Sequence, residues 1–431
     1  MADAALRLKT LVEQLLQAPL PVRVRAWDGS EAGPPGAPVL VVHNRRALRR
    51  LLWKPGELGL ARAWVAGDLG VDGDLYTVLD LLAGLIWERG DDARTLAQAL
   101  RDPDVRAAVR GLAKLAGPFP PPPPPREEVR QGLRGHLHTR HSDKRAVSHH
   151  YDVGNDFYEI VLGPSMVYSC AYWDSPEGTL EDAQRDKLEL VCRKLGLKPG
   201  QRLLDVGCGW GSMALHAARE HDVSVVGITL SEEQATCARK RVADEGLADR
   251  VEIRVQDYRD VADGPYDAIS SIGMAEHVGA ERYLEYARDL YSLLRPGGRL
   301  LNHQIARRPQ RDESSYAVDA FIDAYVFPGG ELAPLGTTVT QLERAGFEVR
   351  DVESLREHYA LTLRRWVANL EAGWARAQHL TGVGRARVWR LYMAASALAF
   401  ESNRIGVNQV LAVRTPDSGA SGMPSRSRIW N

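Results

Sequence analysis

From about residue 185 the chain alternates short apolar strands with helices of ten or more residues, and few folds accommodate that rhythm. The run reads as strand RLLDVG, helix SMALHAAREH, strand VSVVGITL, helix SEEQATCARKRVADEG, strand VEIRVQD, strand YDAISSIG, helix ERYLEYARDLYSLL, turn RPGG and strand RLLNHQI. Parallel neighbours need a crossover, and a helix of this length supplies it. The pattern therefore predicts an α/β architecture: a doubly wound, mostly parallel, Rossmann-like sheet with helices on both faces.

With 431 residues, the chain is long enough for two or three domains. The sharpest boundary is Pro120 to Pro125, preceded by GPF, which reads as a stiff polyproline spacer; a proline-binding partner is the alternative. Residues 1–117 then form a small α+β accessory domain: a helix, the strand PVRVRAW, turn residues, the strand VLVVH, and helical pattern to about Leu115. Asp68, Asp72 and Asp74 suggest a calcium loop, but their spacing and the missing terminal Glu favour turn chemistry. Residues 118–148 are a Pro-rich spacer and basic segment, 149–414 the α/β domain, and 415–431 a flexible tail by composition.

Net charge is −1, which gives no electrostatic argument for nucleic acid. The four cysteines show no C-x-x-C spacing, so neither a disulfide framework nor a metal site is expected. The amphipathic N-terminus is unlike a signal peptide, and the apolar run VLDLLAGLIW is interrupted by Asp80 and too short to span a bilayer. A cytoplasmic location is expected. Residues 126–150 carry six Lys/Arg against three acids, with five histidines. They read as a solvated helix face or as a headgroup contact, worth about 1 kcal/mol per basic residue at an anionic surface.

Gly207, Gly209 and Gly211 follow a strand and precede a helix, where a ligand rests on the helix N-terminus. The spacing is not that of a dinucleotide site, and the second strand ends in Ile228-Thr229-Leu230-Ser231 without the acid a nicotinamide ribose usually meets. With Asp205 beside the loop and Gln256-Asp257-Tyr258 after the third strand, S-adenosylmethionine (SAM) fits better than NAD. Asp205 orders the loop and lies near the methionine ammonium in this reading; Tyr258 belongs to the adenine pocket.

The segments HHYDVGNDFYEIVL, YSCAYW, LDVGCGWG, VVGITLS, QDYRD, MAEHVG, AYVFPGGELAPL and EHYALTL closely resemble the cyclopropane-fatty-acid synthase family, which includes the mycolic acid methyltransferases. The resemblance covers residues 149 to about 410. It implies a class I SAM methyltransferase domain with a helical lid insertion, and SAM contacts at Tyr168, Ser169, Gly207, Gly209, Thr229, Leu230, Gln234, Tyr258 and Ile272. It also implies a bicarbonate ion acting as base, held by Cys170, Glu276, His303, Ile305 and Tyr359, with Cys170 and Ile305 giving mainly backbone groups. The substrate so implied is the cis double bond of a phospholipid acyl chain at the inner membrane face, and the product a cyclopropane or a methylene branch. Asp312 to Leu335 would cover the acyl tunnel, with Phe321, Tyr325 and Phe327 lining it. A homodimer and a reductase acting on a methylene product are expected partners.

Other readings of these residues are a buried structural Cys170 or a thiol nucleophile, a core His303, and a helix-terminal Glu276. At the level of the whole chain, the alternatives are methylation of oxygen or nitrogen in a small molecule, and a relic fold that only binds lipid. Ala275 departs from the family pattern, which commonly has Phe there, and the N-terminal domain matches it loosely.

Overall fold

The computed structural model describes residues 3–86, 101–118, 120–129 and 153–424. They form two compact units. The first comprises Met1–Arg130, Ala324–Val326 and Thr381–Leu398; the second holds the remainder.

The first unit contains a four-stranded mixed sheet in the order β2-β1-β3-β4, built from β1 (Arg23–Arg25), β2 (Glu31–Ala32), β3 (Val39–Val42) and β4 (Leu69–Asp72). The helices Ala4–Leu16 and Pro103–Ala116 contribute Leu8 and Leu112 to its core, beside Val24, Val42, Leu48 and Leu69. Turn chemistry accounts for Asp74, which accepts from Thr77 N at 2.8 Å, but not for Asp68. Asp68 is fully buried and receives Arg50 Nε at 2.8 Å, Arg46 Nε at 3.1 Å and Asn44 Nδ2 at 2.8 Å. A buried carboxylate persists when it is satisfied in this way. Arg50 also donates to Pro123 O at 2.8 Å. The proline run is thereby fastened to this unit, because its carbonyls, lacking ladder partners, remain available as acceptors. The basic stretch from residue 130 onward lies outside the described residues.

The second unit is built on a seven-stranded sheet in the order β10-β11-β9-β8-β5-β6-β7. Its strands are β5 (Arg202–Val206), β6 (Ser224–Thr229), β7 (Val251–Val255), β8 (Tyr266–Ile272), β9 (Leu294–Arg307), β10 (Glu348–Ser354) and β11 (Ile405–Val413). Neighbours from β9 through β7 are parallel, while β11 runs antiparallel to both β9 and β10. The strand order reverses at β5, which opens a crevice at the carboxyl ends of β5 and its neighbours. Apolar strand faces and flanking helices fill two cores, one around Leu203, Val225 and Ile253, the other around Leu204, Ile269 and Leu300.

The RPGG turn persists as an irregularity inside the span of β9: Gly297 has φ 83°, the register against β8 shifts between Tyr266 and Ala268, and Gly297 N donates to Arg414 O and Arg414 N to Gly298 O. Two sequence expectations need correction. The beginning of the tail is tied down rather than free: Arg350 reaches Ser421 Oγ at 2.9 Å, Arg299 reaches Gly422 O at 3.1 Å, and Met423 packs on the first of the two cores. Within the lid segment, Phe321 is buried and Phe327 sits edge-on to His277, with 5.7 Å between ring centres. Tyr325 belongs instead to the first unit, its hydroxyl donating to Glu128 at 2.9 Å beside Arg62.

Candidate active site

The crevice at β5 holds a cavity of about 1160 Å³, counting its open mouth. Gly207, Gly209 and Gly211 all have positive φ (80°, 53° and 82°), a conformation that β-carbons disfavour. A Cβ on Gly207 would also meet the Met274 thioether at 2.5 Å. The loop is pinned by Gly207 N and Cys208 N, which donate to Ile228 O at 3.0 and 2.9 Å. The helix Ser212–His221 starts directly after it, so its first backbone N–H groups lie close to the crevice.

Ten of the twelve residues expected at the cofactor line this cavity: Tyr168, Ser169, Asp205, Gly207, Gly209, Thr229, Leu230, Gln234, Tyr258 and Ile272. The other two serve them indirectly. A Cβ on Gly211 would meet the Ala238 side chain at 3.2 Å, and Asp257 accepts from Arg259 N at 3.0 Å and from its guanidinium, aligning an arginine that does line the cavity. Thr229 Oγ1 donates to Gln234 Oε1 at 2.9 Å, fixing both.

Asp205 is buried; its Oδ1 accepts from Ser270 Oγ at 2.7 Å, while Oδ2 has no hydrogen-bond partner. Burial pushes its pKa up to about 6. Sequence reasoning missed Lys187. It is 1% exposed, lines the same cavity and donates to Ser169 Oγ at 2.9 Å. Burial lowers its pKa to about 8. The signal was available: Lys187 follows Ala183 by four residues and precedes Val191 by four, so it falls on the apolar face of the helix Leu180–Leu195.

The five residues expected at the base do not line the cavity; they begin where its wall ends. Ser169 precedes Cys170, Met274 stands two residues before Glu276, and Gly273 N donates to His303 O at 2.9 Å. Chain pairing then links the five. Glu276 Oε1 accepts from Ile305 N at 2.7 Å, Ile305 pairs with Val407 across β9 and β11, and Val407 O accepts from Leu355 N at 2.9 Å. Leu355 O lies 3.6 Å from the Cys170 thiol and accepts from Tyr359 N one turn on. His303 and Ile305, two apart on β9, face the same way. The Ile305 N–H is engaged by Glu276 and orients that carboxylate.

Glu276 Oε2 and His303 Nε2 are buried without a hydrogen-bond partner. Burial pushes the Glu276 pKa up to about 7. Burial, with Lys187 and Lys194 nearby, holds His303 well below its ordinary pKa, so the ring is neutral. Its tautomer follows from Gln409. The buried Lys194 ammonium, a donor only, bonds Gln409 Oε1 at 2.8 Å, so the amide nitrogen faces His303 Nδ1 at 3.3 Å. Nδ1 accepts and the proton stands on Nε2. Tyr359 packs between Phe400 and Trp366, with ring centres 4.7 and 5.9 Å away. Cys170 is fully buried and its thiol pKa is pushed well up, which argues against a nucleophile.

Residues 138–410 match the mycolic acid cyclopropane synthetase family. Over 94% of each chain, the protein is 46% identical to a probable fatty acid methyltransferase of Mycobacterium tuberculosis. It is 40% identical to the cyclopropane-fatty-acyl-phospholipid synthase of Escherichia coli, over 63% of this chain and 68% of that one. A mycolic acid cyclopropane synthase solved with SAH and CTAB superposes with a TM-score of 0.60 at 34% identity, covering 64% of this chain and 99% of the other. Among the described residues no helix is long and apolar enough to cross a membrane. The chain belongs to the mycolic acid cyclopropane synthetase family and is a SAM-dependent methyltransferase acting on lipid acyl chains.

Proposed function

We propose that the enzyme adds one carbon from SAM to the cis double bond of a phospholipid acyl chain, with bicarbonate as base, and forms a cyclopropane or a methylene branch. The observation that carries this reading is the pair of buried, unpartnered atoms Glu276 Oε2 and His303 Nε2. A small anion with one hydroxyl suits them: the ionised Glu276 accepts from the hydroxyl and the His303 Nε2–H donates to an anionic oxygen. Methylation of oxygen or nitrogen in a small metabolite requires no such pair.

Bound SAM would supply the electrophilic methyl and bicarbonate a proton acceptor. Asp205 Oδ2, buried without a hydrogen-bond partner, would hold the methionine ammonium, and the glycine loop would let the backbone approach the cofactor. The alkene's π electrons take the methyl, leaving a carbocation on the adjacent carbon. Water would capture that cation, so the buried rings of Tyr359, Trp366 and Phe400 keep the pocket dry. Proton loss from the added methyl closes the ring; a hydride shift before proton loss leaves a methylene branch. Ala275 is buried beside Glu276, and the two line a second, small cavity.

Docking of residues 126–150 on anionic headgroups brings the enzyme to its substrate, and homodimerisation and a downstream reductase remain part of this proposal. Dioleoyl phospholipid vesicles incubated with SAM and the enzyme test it. Mass spectrometry is expected to find acyl chains heavier by one CH₂, and fragmentation locates the ring or branch. Unchanged chains, with SAM bound by the protein, would favour a small-molecule methyltransferase.

A further inference from the structure

The helices Leu180–Leu195 and Ser212–His221 gather four side chains that play no part in the reaction. One ligand atom each from Cys192, His216 and His221 lie within 4.8 Å of one another. Glu189 Oε2 stands 3.3 Å from His216 Nε2 and 2.9 Å from His221 Nε2. Glu189 and Cys192 share a helix face one turn apart. Arg193 Nε holds the other oxygen of Glu189 at 2.8 Å, so Oε2 is aimed at the two imidazoles. Cys192 and His216 are buried, while the His221 side chain is 19% exposed and leaves a way in from solvent. None of the four lines the cofactor cavity.

We propose that Glu189, Cys192, His216 and His221 form a structural zinc site. Tetrahedral zinc, with bonds of about 2.0–2.3 Å, places its ligand atoms roughly 3.3–3.6 Å apart; here the sulfur and two imidazole nitrogens lie within 4.8 Å of one another, and Glu189 Oε2 stands 2.9 and 3.3 Å from the imidazoles. A sulfur, two imidazole nitrogens and one carboxylate oxygen suit zinc and disfavour magnesium or calcium, which take oxygen ligands. Charge balances as well. One thiolate and one carboxylate neutralise a divalent ion, so the closed site buries no net charge. On binding, Cys192 releases its thiol proton to solvent as the sulfur–metal bond forms; each imidazole, which donates Nε2–H to Glu189, loses that proton and regains one on Nδ1 by exchange with solvent, so that Nε2 binds the metal and the two imidazole–carboxylate hydrogen bonds give way to metal bonds. Arg193 then serves as the outer partner that orients the carboxylate. The ion staples the C-terminal half of the helix that carries Lys187 to the helix that begins at the glycine loop. No sequence spacing announces the site, because its ligands come in pairs from two helices.

The test uses the full chain, stripped with EDTA and titrated with cobalt(II), then zinc(II). One equivalent of cobalt is expected to give a thiolate-to-metal charge-transfer band in the near ultraviolet, absent from Cys192→Ala. Histidines at residues 136–150 also attract cobalt, but that stretch contains no cysteine and contributes no such band. Zinc is expected to raise the melting temperature by about 5 °C. His221→Ala, nearer the surface and tolerant of truncation, is expected to weaken zinc binding at least tenfold, by about 1.4 kcal/mol. A wild-type protein without the band, or a band that persists in Cys192→Ala, overturns the site.

Discussion

The cofactor cavity and the pocket beyond its wall are built on the same sheet by opposite means. The cavity is open and framed by a glycine loop, strand ends and the first turn of a helix, with side chains such as Asp205, Lys187 and Tyr258 in its wall. The pocket is closed and made of side chains drawn from near residues 170, 276, 303, 359 and 409, each held by a partner from another strand or helix. Each region has one buried carboxylate with a free oxygen, Asp205 in the first and Glu276 in the second. On the proposed reaction, the difference teaches how the work is divided: binding SAM calls for close approach of a glycine loop and one opposite charge, whereas handling a cation derived from an alkene would call for dryness and a fixed set of proton positions.

The comparison is sharpened first by stability. Glu276 titrates near 7 in the folded chain against 4.5 ordinarily, so the folded state binds more protons between those values and stability falls as pH rises through them. Above pH 7 the penalty is complete. Glu276→Gln is therefore expected to stabilise the protein at pH 8 by on the order of 3 kcal/mol, and to lose that advantage below pH 4.5, measured by denaturant melts. Asp205→Asn is expected to weaken SAM binding by about 10–100-fold in calorimetry, as loss of a charged hydrogen bond does, with the product unchanged at saturating SAM. A variant that binds SAM normally but no longer turns over would erase the distinction between the two regions.

Gln409→Glu keeps the acceptor for Lys194 but replaces the donor facing His303 Nδ1. It is expected to move the proton to Nδ1 and to lower turnover by about tenfold, the scale of one neutral hydrogen bond, while SAM affinity stays constant. Nitrogen-15 shifts of His303 report the tautomer directly. The smallest effect concerns neither region: activity on anionic vesicles is expected to fall as salt rises, if residues 126–150 dock on headgroups. A response independent of salt would remove that segment from substrate capture.

The cavity was far more legible than the pocket. Positive φ at Gly207, Gly209 and Gly211 demands glycine locally, so the loop leaves its mark in a short stretch of sequence. The doubly wound sheet was legible for the same reason, each strand and crossover carrying its own period. Resemblance to a family named the residues of the pocket, but not what holds them. Lys194 and Gln409 look like ordinary polar positions in a helix and a strand; their burial, and the tautomer they impose, follow from the pairing of β9 with β11 across a hundred residues. Asp68 was misread for the same reason, since its arginine partners lie 18 and 22 residues away. Strand β11 itself follows a long helical region and pairs antiparallel, outside the rhythm that revealed the other strands.

The most direct test is Glu276→Gln on dioleoyl phospholipid vesicles, with SAM affinity and acyl-chain mass measured on the same preparation. The amide keeps the shape of the side chain but takes away the carboxylate that, on the proposed reading, accepts from the base. The predicted result is SAM binding within about twofold of wild type and turnover lower by about 10²–10⁴-fold, the range for loss of acid–base function. Wild-type kcat/KM should rise with pH through about 7, and the variant should lack that rise. Full turnover by Glu276→Gln, with SAM bound, would contradict the assignment of the base pocket.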